Sequence, residues 1–143
     1  MRYMLDTCAF IDAVTDPDSL GSDILTLLED YSNTLIISSE TVREIILKYK
    51  AKRVWTKKWY SAKDIIHYIK SETPFVIDYV HEEHLATYAD LQTNEAEDHK
   101  DPSDHLIIAH AITNGIPLIS RDHKFGFYRH QGLELIYYGR QKL

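Results

Sequence analysis

Short apolar runs alternate with amphipathic helical stripes along this chain, and that alternation restricts it to the α/β class. Tyr3-Met4-Leu5, Leu35-Ile36-Ile37, Phe75-Val76-Ile77, Pro117-Leu118-Ile119 and Leu135-Ile136-Tyr137 each predict a strand. Between them, Ile24, Leu25, Leu27 and Leu28 form one helical stripe. Val42, Ile45, Ile46 and Tyr49 form another at i, i+3, i+4 and i+7, behind a cap at Ser38 or Ser39. Ile65, Ile66 and Ile69 mark a third helix, which Thr73-Pro74 breaks. His81 to Leu91 reads as helical and Asn94 to Lys100 as a polar loop. Asp101 at the N-cap and Pro102 at the first helical position start a helix that Asn114-Gly115 ends. That helix is apolar almost all round, so it is expected to be buried. The pattern predicts a mainly parallel sheet of about five strands, covered by helices on both faces.

The length of 143 residues fits one domain, 1–143, with a single core. No apolar run approaches the ~20 residues that span a bilayer, so no membrane partner is expected. The N-terminus carries acids early and is not read as a signal peptide. Cys8 is the single cysteine, which excludes an internal disulfide and suits a reducing compartment, with the cytoplasm expected. The net charge of −6 argues against a nonspecific coat on nucleic acid. Its distribution says more. Lys48, Lys50, Lys52, Arg53, Lys57, Lys58 and Lys63 fall in one stretch without an acid, which leaves the remaining chain strongly acidic.

In parallel sheets ligands bind at the carboxyl ends of strands. Asp6 closes the first apolar run and Asp122 follows the fourth. Glu44 stands about two helical turns past the second run, and Asp104 lies in the first turn of the helix leading into the fourth. Crossover topology is expected to bring all four to one edge. Each has an ordinary reading as well. Asp6 and Asp122 are placed to cap helices, and Asp122 could pair with Arg121. Glu44 could pair with Lys48 on a solvated face. Asp104 could be a capping-box acid favoured by the helix dipole. Against this, Asp104 aligns with Ile107, Ile108 and Ala111 on the buried side and has no Lys or Arg at i+3 or i+4. Glu40 also faces Glu44 one turn away, and like charges there repel unless a cation intervenes. Crowded carboxylates suit a hard divalent ion, Mg²⁺ or Mn²⁺, which neutralises a scissile phosphate and activates water.

Other chemistries lack their residues. His81-Glu82-Glu83-His84 does not have the HExxH spacing and reads as an exposed helix turn. Cys8 has no CxxC partner for zinc, and it stands where an aspartyl-phosphate phosphatase would carry its second Asp. No phosphate-binding glycine loop is present. The stretch from Lys48 to Tyr60 interleaves bases with Tyr49, Trp55, Trp59 and Tyr60. Such a mixture serves phosphate contacts and base stacking. It equally describes a basic helix face with aromatics packed inward, or a groove for an acidic protein.

Four segments together resemble the PIN-domain ribonucleases, and in particular the VapC-type toxins of toxin–antitoxin pairs. MLDTCAFID resembles the opening motif, with its acid at Asp6 followed by Thr7. SSETVREI resembles the second, at Glu44. DPSDHLIIAHA resembles the third, at Asp104, with Ser103 and His105 where those toxins often carry Phe and Arg. LISRDHKF resembles the fourth, at Asp122, and includes Ser120. The resemblance implies a three-layer α/β/α sandwich and Mg²⁺- or Mn²⁺-dependent hydrolysis of RNA by an endoribonuclease. It makes Asp6, Glu44, Asp104 and Asp122 the catalytic metal ligands. It also implies a homodimer and inhibition by a cognate antitoxin, expected to dock in an apolar groove near the first two helices. Thr7, Ser120, Lys50, Lys52 and Arg53 are the expected substrate contacts. An inactive PIN-like module that binds RNA or protein, and a metal-dependent phosphatase, are the alternatives. The basic-aromatic segment favours a polymeric substrate over a small phosphate, and the four acids together favour an enzyme over a binder.

Overall fold

The computed structural model describes residues 1–54 and 56–139. Strands β1 (Arg2–Leu5), β2 (Thr34–Ser38), β3 (Phe75–Asp78), β4 (Leu118–Ser120) and β5 (Leu135–Tyr137) coincide with the five apolar runs. They form one sheet in the order β3-β2-β1-β4-β5, and every neighbouring pair is parallel. Among the described residues six α-helices connect them: α1 (Thr7–Thr15), α2 (Ser22–Glu29), α3 (Ser39–Lys50), α4 (Asp64–Glu72), α5 (Glu82–Asp90) and α6 (Pro102–Asn114). Pro17–Leu20 and His123–Gln131 are 3₁₀ segments.

Period-two alternation sends strand residues to two cores. Leu5, Leu35, Ile37 and Ile119 pack with Phe10 of α1, Ile24 of α2, Val42 and Ile45 of α3, and Ile65 and Ile69 of α4. Met4, Ile36 and Leu118 face the other way, against Ile107, Ile108 and Ala111 of α6 and against Phe125 and Tyr128. The α/β/α sandwich follows. Its handedness follows from connection geometry. Right-handed crossovers place α1 to α4 on one face as the chain steps from β1 to β2 to β3. The connection from β3 to β4 steps the opposite way, so α5 and α6 cover the other face. The direction therefore reverses between β1 and β4, the switch point at which sheets of this kind form a ligand crevice outside the carboxyl ends.

Local signals held at most boundaries. The side chains of Ser38 and Asp101 cap α3 and α6, and Gly115 ends α6 in the left-handed conformation at φ 63°. Helix α1 carries little periodic signal and is started by Asp6, whose carboxylate accepts from the Ala9 N–H. Two expectations need correction. Trp59 is 3% exposed and sits edge-on between Tyr49 and Tyr68, at 6.0 and 6.1 Å, so it belongs to the core. Of the four aromatics offered as stacking platforms, Tyr60 is exposed, Tyr49 and Trp59 face inward, and Trp55 lies outside the described residues. His84 is buried rather than part of an exposed turn, because α5 packs its ring on His110 of α6, with ring centroids 4.0 Å apart.

Ile107 is fully buried and Leu47 is 57% exposed. Ile107→Ala is expected to cost about 2–5 kcal/mol in urea denaturation, and Leu47→Ala less than about 0.5 kcal/mol. Equal losses at the two positions would contradict this placement of the core.

Candidate metal centre

Strand register aligns the residues that face the crevice. Leu5 pairs with Ile37 on one side and Ile119 on the other, so Asp6, Ser38 and Ser120 follow at the same level of the sheet. Asp6 is 3% exposed. One carboxylate oxygen accepts the Ala9 N–H at 2.8 Å, and the other accepts the Ser120 hydroxyl at 2.6 Å. Ser120 Oγ in turn accepts the Asp122 N–H at 3.1 Å. The Asp122 carboxylate caps the following 3₁₀ segment through the Lys124 N–H. Asp6 and Asp122 are thus helix caps, and each still adds its charge to the neighbouring acids.

Asp104 enters from the first turn of α6. Its carboxylate meets His99 Nε2 at 3.1 Å, and an oxygen of Asp104, an oxygen of Asp122 and a His99 nitrogen all lie within 4.8 Å of one another. Glu44 comes from α3 and accepts the Thr7 hydroxyl. It is half-buried, not on a solvated face, and forms no ion pair with Lys48. Arg43 takes the neighbouring Glu40 instead, through Nε at 2.9 Å and Nη2 at 2.6 Å. Arg121 pairs with Asp12 rather than Asp122. Among the described residues, then, no Lys or Arg forms an ion pair with Asp6, Glu44, Asp104 or Asp122.

The electrostatic consequence is large. Burial, reinforced by the charges of Asp104 and Asp122, pushes Asp6 up to about 7 against the hydrogen bonds from Ser120 and Ala9. Burial also raises Glu44, with Asp104 and Asp101 adding to it. Asp104 is raised by burial and by Asp101 and Asp122, and His99 opposes the shift. Oxygen donors whose charged forms are disfavoured first by burial and then by neighbouring acids fit a divalent cation, which would favour every charged form at once. Cys8 offers no competing chemistry, since burial and Asp6 push its thiol up to about 11.

The remaining expected contacts divide. The hydroxyls of Thr7 and Ser120, expected on substrate, are buried and donate to Glu44 and Asp6, so they orient carboxylates. Lys50, Lys52 and Arg53 lie at the far end of α3 or just beyond it, and Lys50 is roughly 9 Å further along the helix axis than Glu44. His99 was not singled out by the sequence. Its only local signal is a histidine just ahead of the Asp-Pro helix start. Asp78, His84 and His110 form a second close group. Here the ring nitrogens already serve protein partners: His110 meets Ser38 and Asp78, and His84 meets the His81 N–H and Asn114. This group is a hydrogen-bond network joining α5 and α6 to the ends of β2 and β3.

A PIN domain family model matches residues 3–132. The chain belongs to the PIN-domain family. Similar solved structures include VapBC2 from Rickettsia felis bound to a DNA fragment from its promoter, at 24% identity and TM-score 0.69, covering 96% of this chain and 98% of that one. VapBC-1 from nontypeable Haemophilus influenzae matches at 21% identity and TM-score 0.66, over 96% and 98%. A toxin–antitoxin complex from Klebsiella pneumoniae matches at 19% identity and TM-score 0.63, over 96% and 98%. These likenesses are of fold. No curated protein matches the sequence.

Asp6 ionises near pH 4 in the unfolded chain and about 7 in the folded one, so between these values only the folded state keeps the proton. Stability in EDTA is therefore expected to fall as pH rises from about 4 to about 7. Asp6→Asn should flatten that slope and raise the melting temperature near neutral pH. Thermal melts across this range check it, and an unchanged slope in the variant would refute the assignment.

Proposed function

We propose that this chain is a divalent-metal-dependent endoribonuclease and the toxin of a toxin–antitoxin pair. The observation that carries the reading is that burial and neighbouring acids raise Asp6, Glu44 and Asp104, that Asp122 adds its charge to Asp6 and Asp104, and that none of the four has a Lys or Arg ion pair among the described residues. Asp6, Glu44, Asp104 and Asp122 would hold Mg²⁺ or Mn²⁺. When bound, such an ion supplies charge neutralisation at a phosphodiester and makes water a better nucleophile. The chain's own part is to fix the carboxylates. Ser120 and Ala9 hold Asp6, Thr7 holds Glu44, and the Lys124 N–H holds Asp122. Lys50, Lys52 and Arg53 are proposed as phosphate contacts for an RNA long enough to run along α3.

The toxin role draws on the fold shared with VapBC structures. An active ribonuclease requires restraint, here by an antitoxin in the cytoplasm. No helix among the described residues is long and apolar enough to cross a membrane. Val42, Ile46, Ile66 and Ile77 line an apolar groove between α3, α4 and the edge strand β3, with Ile66 the exposed one of the four and Arg43 at its side. Helix α3, the second helical stripe of the sequence, forms one wall of it, and an apolar surface of this kind suits a partner chain. A second copy in a homodimer is part of the same proposal.

Purified protein with RNA and Mn²⁺ or Mg²⁺ is expected to cleave, and EDTA to stop it. Asp104→Asn should lower the rate by more than the roughly 10–100-fold typical of residues that merely support a metal ligand. Its melting curve should remain cooperative. Wild-type protein that binds RNA but leaves it intact with either ion would instead establish a binding module. Replacing Lys50, Lys52 and Arg53 by Ala should weaken RNA binding and reduce its salt slope by up to about 2. An unchanged slope would remove these three from the substrate path.

A further inference from the structure

We infer that His99 is a direct ligand of the bound ion, and that its nitrogen makes the site prefer Mn²⁺, or another transition ion, to Mg²⁺. The inference rests on the metal-site reading above and adds to it a donor that is not a carboxylate.

His99 is 4% exposed and held from several directions. Its N–H donates to the Asn94 carbonyl at 3.0 Å, and its own carbonyl accepts from His105 Nε2 at 2.9 Å. The ring packs against Phe125 and edge-on against His105. Nδ1 meets the Tyr128 hydroxyl at 2.9 Å. The ring therefore has one orientation, and that orientation aims Nε2 at Asp104 with Asp122 beside it. His105 stands where the resembling toxins often carry Arg, and its role here is to fasten the His99 backbone.

The spacing is that of a chelate. An octahedral ion with bonds of about 2.1–2.2 Å places adjacent ligand atoms roughly 3 Å apart and opposite ones roughly 4.3 Å apart. The 3.1 Å between His99 Nε2 and Asp104 matches an adjacent pair, and the 4.8 Å limit on the trio admits either arrangement for Asp122. The proton economy also permits exchange. Nε2 lies 3.1 Å from Asp104 and Nδ1 2.9 Å from the Tyr128 hydroxyl, and the ring proton can sit on either nitrogen. Tyr128 Oη already accepts the Asn94 N–H at 3.1 Å and has capacity for a second donor. With the ring proton on Nδ1, it donates to Tyr128, and the Nε2 lone pair faces the carboxylates. A metal-ligating histidine commonly donates its other N–H to an oxygen in this way. Imidazole suits transition ions, whereas Mg²⁺ keeps to oxygen donors.

The test loads the full chain with Mn²⁺ and reads pulsed EPR, with ¹⁵N-histidine labelling to identify the nitrogen. A directly bound imidazole is expected to show nitrogen coupling that changes isotope on labelling. The coupling should vanish in His99→Gln, which keeps an N–H for Asp104. Calorimetric titration should show Mn²⁺ affinity falling by more than the roughly 10–100-fold typical of residues that merely support a ligand, with Mg²⁺ affinity changing much less. Where Gln disturbs the fold, His99→Asn serves the same comparison. Mn²⁺ bound to wild-type protein without nitrogen coupling, or with coupling that survives the substitution, would overturn ligation by His99 and leave the metal centre standing. Wild-type protein that binds neither ion at millimolar concentration would overturn the metal centre itself.

Discussion

The Ser120 hydroxyl lies between the two strands that diverge at the switch point, and the site depends on how it is shared. It donates to Asp6 at the end of β1 and accepts the backbone of Asp122 beyond β4. Parallel pairing of Leu5 with Ile119 puts those ends side by side, and the buried Ser120 joins them at 2.6 Å. The same bond orients one carboxylate oxygen of Asp6 while the start of α1 takes the other. Removing this serine would leave a buried carboxylate with one hydrogen bond fewer, and an acceptor lost for the Asp122 backbone.

Around that link the molecule concentrates negative charge that the fold itself does not neutralise. Burial of Asp6 opposes folding near neutral pH, and Asp104 and Asp122 add to the cost. Two continuous apolar cores, one on each face of the sheet, offset it. Local electrostatic strain tolerated by a well-packed scaffold is the usual signature of a functional site. The N-terminal ends of α1 and α6 point toward the cluster, and their partial positive charges make an anionic assembly easier to hold there.

Capping and the acidic cluster share residues because helices that follow strands at a carboxyl edge begin at the switch point. A carboxylate at that position satisfies orphan backbone N–H groups with one oxygen and leaves the other for a neighbour. Asp6 and Asp122 both act in this way. Glu44 and Asp104 lie within their helices and reach the crevice because α3 and α6 converge over the sheet edge, where Ser103 donates to Glu40 and His110 meets Ser38.

Much of this was legible in the chain by itself. Strand runs, the Asp-Pro helix start and the Gly stop depend on periodicity and local backbone chemistry, which neighbours in sequence determine. The four acids could be picked out because Asp6 and Asp122 stand just past apolar runs, while the motif resemblance adds Glu44 and Asp104 inside their helices. What periodicity could not supply was the far side of each contact. Glu44 reads as solvent-facing on its own helix, and only the approach of Thr7 from α1 and Asp104 from α6 turns its surroundings into a site. Trp59 looks like a stacking platform in a basic stretch until Tyr49 and Tyr68 close around it. His99 sits in a polar loop without any periodic signal, and its fixed orientation comes from Tyr128, which lies 29 positions along the chain. Long-range partners of this kind arise from sheet order and helix packing, and these depend on the whole chain's burial of apolar surface rather than on any local preference.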